Sequence, residues 1–529
     1  MEATFDYLVV GAGSAGCAVA ARLAADPRIR VGLVEAGGPD RHPAIKVPAA
    51  FSALIGSKYD WDYRTLPQTG LDGRVIRCPR GRVLGGSSSL NAQVYTRGHQ
   101  ADFDSWAASG NSGWSYKEVE PYFRRAEHRT GSNDADVYGT DGPLHVQDVR
   151  SPSPATAAFL DACAELGHTP LPELNTADTT GYGRTPATQR RGRRWSSADA
   201  YLRTGRLPNL TVLDRMRVRR IAMRDGRAHA VEATDTRGRP CTLTATRRIV
   251  LSAGAINSPQ LLMLSGIGDP RHLVEHGISC TTELPGVGLG LQDHLFAPLI
   301  VRCPQPVTLS SARSLSSVAA YALRRRGPLT SNVAEAATFL PSSSAAPAPD
   351  LEISFLPVPF INHGLDALDW HGLTIAAVLL QPDSSGRVSL RSASPDQPPV
   401  IDPGYLTDPT GDDLRRLARG LHIADELFRT TALAPFVGRR WYRDLDLGDA
   451  GSVERHIRRH ADTVYHPVGT CRMGEDDHAV VDPQLRVRGA RGLSVVDASV
   501  MPRITRGHTH APTVMIAERA ADLIRVQDA

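Results

Sequence analysis

Cysteine is sparse and dispersed in this 529-residue chain. Its seven residues (Cys17, Cys78, Cys163, Cys241, Cys280, Cys303, Cys471) form no CxxC pair. No zinc site is implied, and an odd, scattered set fits reduced thiols and a cytoplasmic setting. Lysine is rarer still, occurring only at Lys46, Lys58 and Lys117, so nearly all positive charge is arginine. A net charge of +4 is small for this length. With no basic run of nucleic-acid type, no nucleic-acid partner is expected. The one local cluster, Arg190, Arg191, Arg193 and Arg194, reads as a solvated loop. No apolar run is long enough for a membrane span, and no basic leader precedes the apolar stretch Phe5–Val10, so no secretory signal is expected. No internal repeat is visible, and the one low-complexity tract, Ser342–Pro349, reads as a surface loop. What is present is ordinary: 41% hydrophobic and 22% charged residues exclude a disordered chain. The length exceeds one compact core, so two or more domains are expected.

Residues 5–37 read as strand, glycine turn, helix and strand. In Gly11-Ala12-Gly13-Ser14-Ala15-Gly16, Gly11 makes the tight turn and Gly13 lets the backbone approach a pyrophosphate. Gly16 permits close packing of helix on strand. The pyrophosphate then sits at the positive N-terminus of the Ala-rich helix that follows. Glu35 ends the second strand about 20 residues on, where a carboxylate accepts hydrogen bonds from ribose hydroxyls and repels a 2′-phosphate. This unit predicts a dinucleotide but does not separate FAD from NAD.

Residues 81–95, GRVLGGSSSLNAQVY, suit neither helix nor strand. Paired glycines followed by three serines make a loop offering backbone N–H groups and hydroxyls to a large polar ligand. A second such place follows the buried-type strand Arg248–Leu251, where Ser252-Ala253-Gly254-Ala255 leads into a short apolar helix. There Ser258 suits the N-cap, Pro259 the first helical position and Gly266 the stop. Further on, Asp350–Leu356 and Leu373–Leu380 read as strands, the first alternating and the second continuously apolar, and Asp412–Phe428 reads as an amphipathic helix.

Three turns near the C-terminal end carry histidines or small residues: Tyr465-His466-Pro467-Val468-Gly469, Asp497-Ala498-Ser499 and Gly507-His508-Thr509-His510-Ala511-Pro512-Thr513. The last leads into an apolar helix ending near Val526, with Pro512 in its first turn. Oxidising an alcohol by hydride transfer needs a base for the hydroxyl proton, and histidine titrates in the right range. A lone histidine is more often structural, and a cluster also raises a metal reading. The His508–His510 spacing has no carboxylate partner in sequence, so no metal is expected.

The 81–95 segment and Gly254–Gly268 (GAINSPQLLMLSGIG) resemble the two signatures of the glucose–methanol–choline (GMC) oxidoreductases. The resemblance extends to Trp61-Asp62-Tyr63 with Pro67-Gln68, to Arg194–Ser197 with Tyr201-Leu202, to Gln292-Asp293-His294, to Ser385–Val388 and to residues 464–525, essentially the full chain. It implies an α/β fold with an α+β substrate part. The Rossmann-type FAD-binding domain is discontinuous, over residues 1–155, 190–300 and 465–529. A substrate-binding domain on an antiparallel sheet takes residues 156–189 and 301–464.

The resemblance also implies FAD contacts at Gly11, Gly13, Ser14, Ala15 and Gly16, at Glu35 and Ala36, and at Trp61 and Arg82. In the signature loop it adds Gly86, Ser87, Asn91, Ala92 and Val94. Later contacts are Val218, Ala253, Gly254, Tyr465, Asp497, Ala498 and His508. His466 aligns with the family's catalytic histidine and His510 with its partner, which is His or Asn elsewhere. Many dehydrogenase-like members read Gly-Asn-Thr-Asn-Ala-Pro-Thr where residues 507–513 carry two histidines, which predicts a pocket titrating near neutral pH. Members with covalent FAD place histidine immediately before the signature asparagine. Leu90 stands there, so FAD is expected to be non-covalent. The implied reaction is oxidation of a small-molecule alcohol to an aldehyde or ketone, with oxygen or a redox carrier as acceptor. A lyase on the same scaffold and a non-catalytic flavoprotein are the alternatives.

Overall fold

The computed structural model describes residues 2–131, 137–205, 207–366 and 368–528. Glu2–Val10 is the centre of a seven-stranded sheet, with parallel neighbours Val31–Val34 and Pro240–Leu251. Leu210–Leu213 extends one side in parallel. Leu8, Val9, Leu33 and Val250 are all fully buried, as expected of strands covered on both faces. On its edge away from Glu2–Val10, Pro240–Leu251 serves two partners along its length. Its first half pairs antiparallel with Arg227–Asp235, and Ile249–Leu251 pairs parallel with Leu493–Val495.

The second sheet has six antiparallel strands, in the order Asp462–Thr463, Leu295–Arg302, Gly372–Leu379, Leu351–Leu356, Ala336–Leu340 and Gly181–Arg184. Both faces are covered, which explains the unbroken apolar run in Gly372–Leu379. Ile375 and Ala377 join Leu417, Leu421 and Leu427 of the helix Asp412–Phe428 in one core, whereas Ala376 and Val378 face a cavity. That helix has the bounds its periodicity predicts. Phe159 stacks on Phe355 at 4.9 Å and anchors a second helix, Pro154–Glu165, to the same face. Leu295–Arg302 lies wholly in this sheet, so a boundary at residue 300 would cut a strand.

One helix differs from expectation. The signature helix spans Gly254–Leu264, so Ser258 and Pro259 lie within it and Ala253 is the N-cap. A proline there removes the N–H that Ala255 O would accept one turn back. The Thr470 hydroxyl donates to that oxygen instead, at 2.7 Å, and the helix continues. Ser258 Oγ donates to the Asp497 carboxylate at 2.6 Å.

Candidate active site

The two glycine-rich segments meet at the carboxyl ends of the parallel strands. Gly11 has φ +99°, and a Cβ there would lie 2.5 Å from Ser252 O. A Cβ on Gly16 would lie 1.8 Å from Gly11 O, so its glycine serves helix packing, as predicted. Gly85 N–H donates to Ala12 O at 2.7 Å, and a Cβ on Gly86 would come within 2.6 Å of Gly13 Cα. The signature loop is thus seated directly on the nucleotide loop.

Between them and the second sheet lies a cavity. Its wall includes the predicted Gly11, Gly13, Ser14 and Ala15, then Glu35, Ala36 and Trp61. The signature loop contributes Gly86, Ser87, Asn91, Ala92 and Val94, and later segments contribute Val218, Ala253, Gly254, Tyr465, Asp497 and Ala498. His466, His508 and His510 complete the set. Two predicted contacts lie off the wall. Gly16 packs behind it, and Arg82 sits over the Trp61 ring at 4.9 Å.

Three helices, Ser14–Leu23, Gly254–Leu264 and His510–Gln527, present N-termini to this cavity, and in none does the N-cap side chain accept a first-turn N–H. Such N-termini carry positive potential, which suits a pyrophosphate and a charged ring system. The first and last are held side by side by buried Glu518, which accepts from Arg22 Nε (2.8 Å), Arg125 Nε (2.7 Å) and Tyr201 Oη (2.6 Å). The Glu35 carboxylate accepts N–H groups of Ala12 (2.9 Å) and Gly37 (2.8 Å), and burial pushes its pKa up to about 7. Asp497 accepts Gly254 N–H at 2.8 Å and fixes the start of the signature helix. The buried Ser252 hydroxyl on the wall has no partner. Glycine cradles, converging helix N-termini and an orphaned hydroxyl fit a bound dinucleotide.

At the other end, His294 Nε2 lies 3.0 Å from Leu380 O, and His294 Nδ1 lies 2.9 Å from His466 Nδ1. A carbonyl only accepts, so the proton of neutral His294 is on Nε2 and its Nδ1 is an acceptor. His466 must then donate from Nδ1, which leaves its Nε2 with a free lone pair. Buried Asp293 accepts His466 N–H at 2.7 Å and fixes the backbone there. Burial holds the His466 pKa well below the usual range, reinforced by the neighbouring His508 and His294. His510 is pushed down to about 4 by burial and then by Arg194. The expectation of a pocket titrating near neutrality therefore fails for His466 and His510: both rings sit in a dry wall that disfavours the cation. His510 Nε2 meets Ser197 Oγ at 3.3 Å, and its Nδ1 has no partner.

His508 corrects another reading. Its Nε2 lies 3.3 Å from Glu352 Oε1, so the histidine pair does have a carboxylate neighbour, supplied by the second sheet. Burial raises the Glu352 pKa, but His508 and the Ser354 hydroxyl outweigh it and hold the carboxyl below its usual range. Among the described residues no cluster of three or more potential ligands could hold a metal. His294 and Glu352 were missed as site residues. An acid inside the apolar run Leu351–Leu356 was the available signal for Glu352. The arginine cluster is likewise only partly solvated. Arg190 and Arg191 are exposed, but Arg194 is fully buried and donates to Ile45 O (2.7 Å), Ser88 O (3.1 Å) and Asn91 Oδ1 (2.7 Å), clamping the signature loop.

Comparison with known proteins agrees with this geometry. Residues 5–296 and 382–517 match the N- and C-terminal patterns of the GMC oxidoreductases. An uncharacterised GMC-type oxidoreductase of Mycobacterium tuberculosis is 46% identical over 531 residues, covering 99% of this chain and 100% of that protein. An alcohol dehydrogenase [acceptor] of Pseudomonas putida is 41% identical over 98% of this chain and 95% of its own. The crystal structure of pyridoxine 4-oxidase from Mesorbium loti superposes with a TM-score of 0.89 at 35% identity, covering 98% of both chains. The chain belongs to the GMC oxidoreductase family, whose members are FAD-binding flavoproteins.

Proposed function

We propose that this protein binds FAD non-covalently and oxidises an alcohol to an aldehyde or ketone, with His466 as the base. The observation that carries this reading is the order Leu380 O, His294, His466, which leaves His466 Nε2 basic and unshared in the cavity wall. FAD, when bound, supplies the hydride acceptor. The chain supplies position and proton handling. Gly11, Gly13, Ser14 and Ala15 would hold the pyrophosphate at the first helix, and Glu35 the ribose. His466 Nε2 takes the hydroxyl proton, because a developing alkoxide releases hydride far more readily than a neutral alcohol. The unpartnered Nδ1 of His510 offers a second hydrogen-bonding position for the hydroxyl. The uncapped N-terminus at His510 offers positive potential to charge that develops in the cavity. Relatives named alcohol dehydrogenase and choline dehydrogenase support an alcohol substrate.

In this reading the two sheets are the cores of the FAD and substrate domains, with Leu295–Arg302 in the latter. All the cysteines are free, which supports a reducing, cytoplasmic setting. Among the described residues no helix is long and apolar enough to cross a membrane.

An anaerobic screen of alcohols against flavin absorbance, followed by admission of air, tests the proposal and sorts oxygen from other acceptors. Bleaching by at least one alcohol is expected. A flavin that no alcohol bleaches while a cyanohydrin is cleaved would establish the lyase instead.

A further inference from the structure

The helix Leu315–Arg324 lies on the surface with its apolar face outward. Leu315 is 89% exposed, Leu323 84% and Val318 49%, and Ala319 and Ala322 are exposed between them. The spacing i, i+3, i+4, i+7, i+8 makes one continuous stripe. Tyr321 alone on this helix is buried, and its hydroxyl donates to Lys46 O at 3.3 Å, fixing which side faces out.

Charge surrounds this stripe with one sign. Arg313 precedes it, and Arg324, Arg325 and Arg326 follow, all exposed. Between Asp293 and Glu335 the sequence has no acidic residue. The exposed Arg190 and Arg191 belong to the same patch: a Cβ on Gly192 would sit 2.8 Å from Arg325 O, and Arg150 Nη1 donates to Arg191 O at 3.4 Å. Among the described residues none of Arg150, Arg190, Arg191, Arg313, Arg324, Arg325 or Arg326 has an ion-pair partner within 4.0 Å. An outward apolar stripe beside unpaired arginines is the arrangement of a helix lying in a lipid interface. Carboxylates interspersed with the cations would suit a protein partner better, and here they are missing.

We propose that this face docks the protein peripherally on an anionic lipid surface, with Leu315, Val318 and Leu323 entering the headgroup layer and the arginines meeting lipid phosphates. Beyond the helix, the chain runs through the turn Pro328–Thr330 to Val333 and Ala334 in the cavity wall. Docking would therefore set the catalytic cavity beside the bilayer.

Vesicle co-sedimentation of the FAD-loaded protein tests this. Vesicles of phosphatidylcholine with phosphatidylglycerol should bind it more than about ten-fold better than phosphatidylcholine alone, and high salt should release it. The double variant Leu315→Asp with Leu323→Asp, and separately Arg324, Arg325 and Arg326→Ser, should each lose more than about ten-fold in binding while retaining FAD and its reduction by a soluble alcohol. These positions are exposed, so the leucine variant touches no core, and in the arginine variant only Arg325 gives up a ring contact, over Tyr321 at 4.7 Å. Equal binding to both vesicle types, or none at low salt, overturns the proposal. So does self-association that the leucine variant abolishes without vesicle binding, which would make the face an interface between copies of this chain.

Discussion

His294 and His466 face each other Nδ1 to Nδ1 at 2.9 Å, and only one of those nitrogens carries the hydrogen. Leu380 O decides which, by requiring the His294 proton at Nε2. His294 is thus a positioning residue that fixes the tautomer of the proposed base. His294→Leu should keep the volume and the FAD while leaving His466 Nδ1–H buried and unpaired, a cost of about 1–3 kcal/mol. Anaerobic flavin reduction should slow by roughly ten-fold or more, with its pH profile altered. An unchanged rate and profile would show that the tautomer does not depend on His294.

The depressed pKa values set the pH dependence. His466 is already neutral at neutral pH, so flavin reduction should be flat above about pH 6.5 and fall only in acid. A sigmoidal rise centred near or above pH ~6.5 would contradict a dry His466. Stability has its own sign. His294 and His510 titrate at about 4 when folded, and near 6.5 when unfolded. Between those values the unfolded chain binds more protons at these two sites, so their contribution to stability should fall as pH drops from about 6.5 towards 4. Glu35 and Asp462 oppose this, because their folded pKa values are raised to about 7 and about 6. Thermal unfolding across that range isolates the His510 share by comparison: the gap in stability between His510→Asn and the parent should shift in favour of the variant as pH falls.

Glu35 offers a cofactor test separable from chemistry. Glu35→Ala removes the acceptor of Ala12 and Gly37 N–H groups beside the proposed ribose site, at roughly 1.5–3 kcal/mol per charge-assisted bond. FAD occupancy after purification should drop, and Glu35→Gln should retain more of it. Full occupancy in Glu35→Ala would return the residue to a local structural role.

Thr470 tests how the signature helix tolerates its proline. Thr470→Val keeps the shape but strips Ala255 O of its donor in a fully buried place. Chemical denaturation should show a loss of about 1–3 kcal/mol with FAD still bound. No loss would mean that the helix needs no replacement for the missing N–H.

Much of this was legible in the chain because local chemistry repeats local rules. The strand–glycine–helix unit, Glu35 at its strand end and the helix Asp412–Phe428 all follow from spacing that depends only on neighbours in sequence. The signature helix was misread because Pro259 signals a helix start, and its compensation by Thr470 comes from 211 residues away. The same holds at the site. His466 stood out in a turn, but its partner His294 lies 172 residues earlier, and Glu352 reaches His508 across 156 residues. Arg194 looked like one of four solvated arginines. Only the fold shows that its guanidinium ties Ile45 O to Ser88 O and Asn91 Oδ1 of the signature loop.

The central claim is that His466 Nε2 takes the substrate proton, and rapid mixing of enzyme with alcohol under anaerobic conditions tests it most directly. His466→Ala should bind FAD normally yet reduce it ~10²-fold or more slowly than the parent. His510→Asn should keep appreciable activity, because hydrogen bonding there does not require a basic nitrogen. Reduction at the parental rate in His466→Ala, with His510→Asn inactive, would contradict the assignment and move the base to His510.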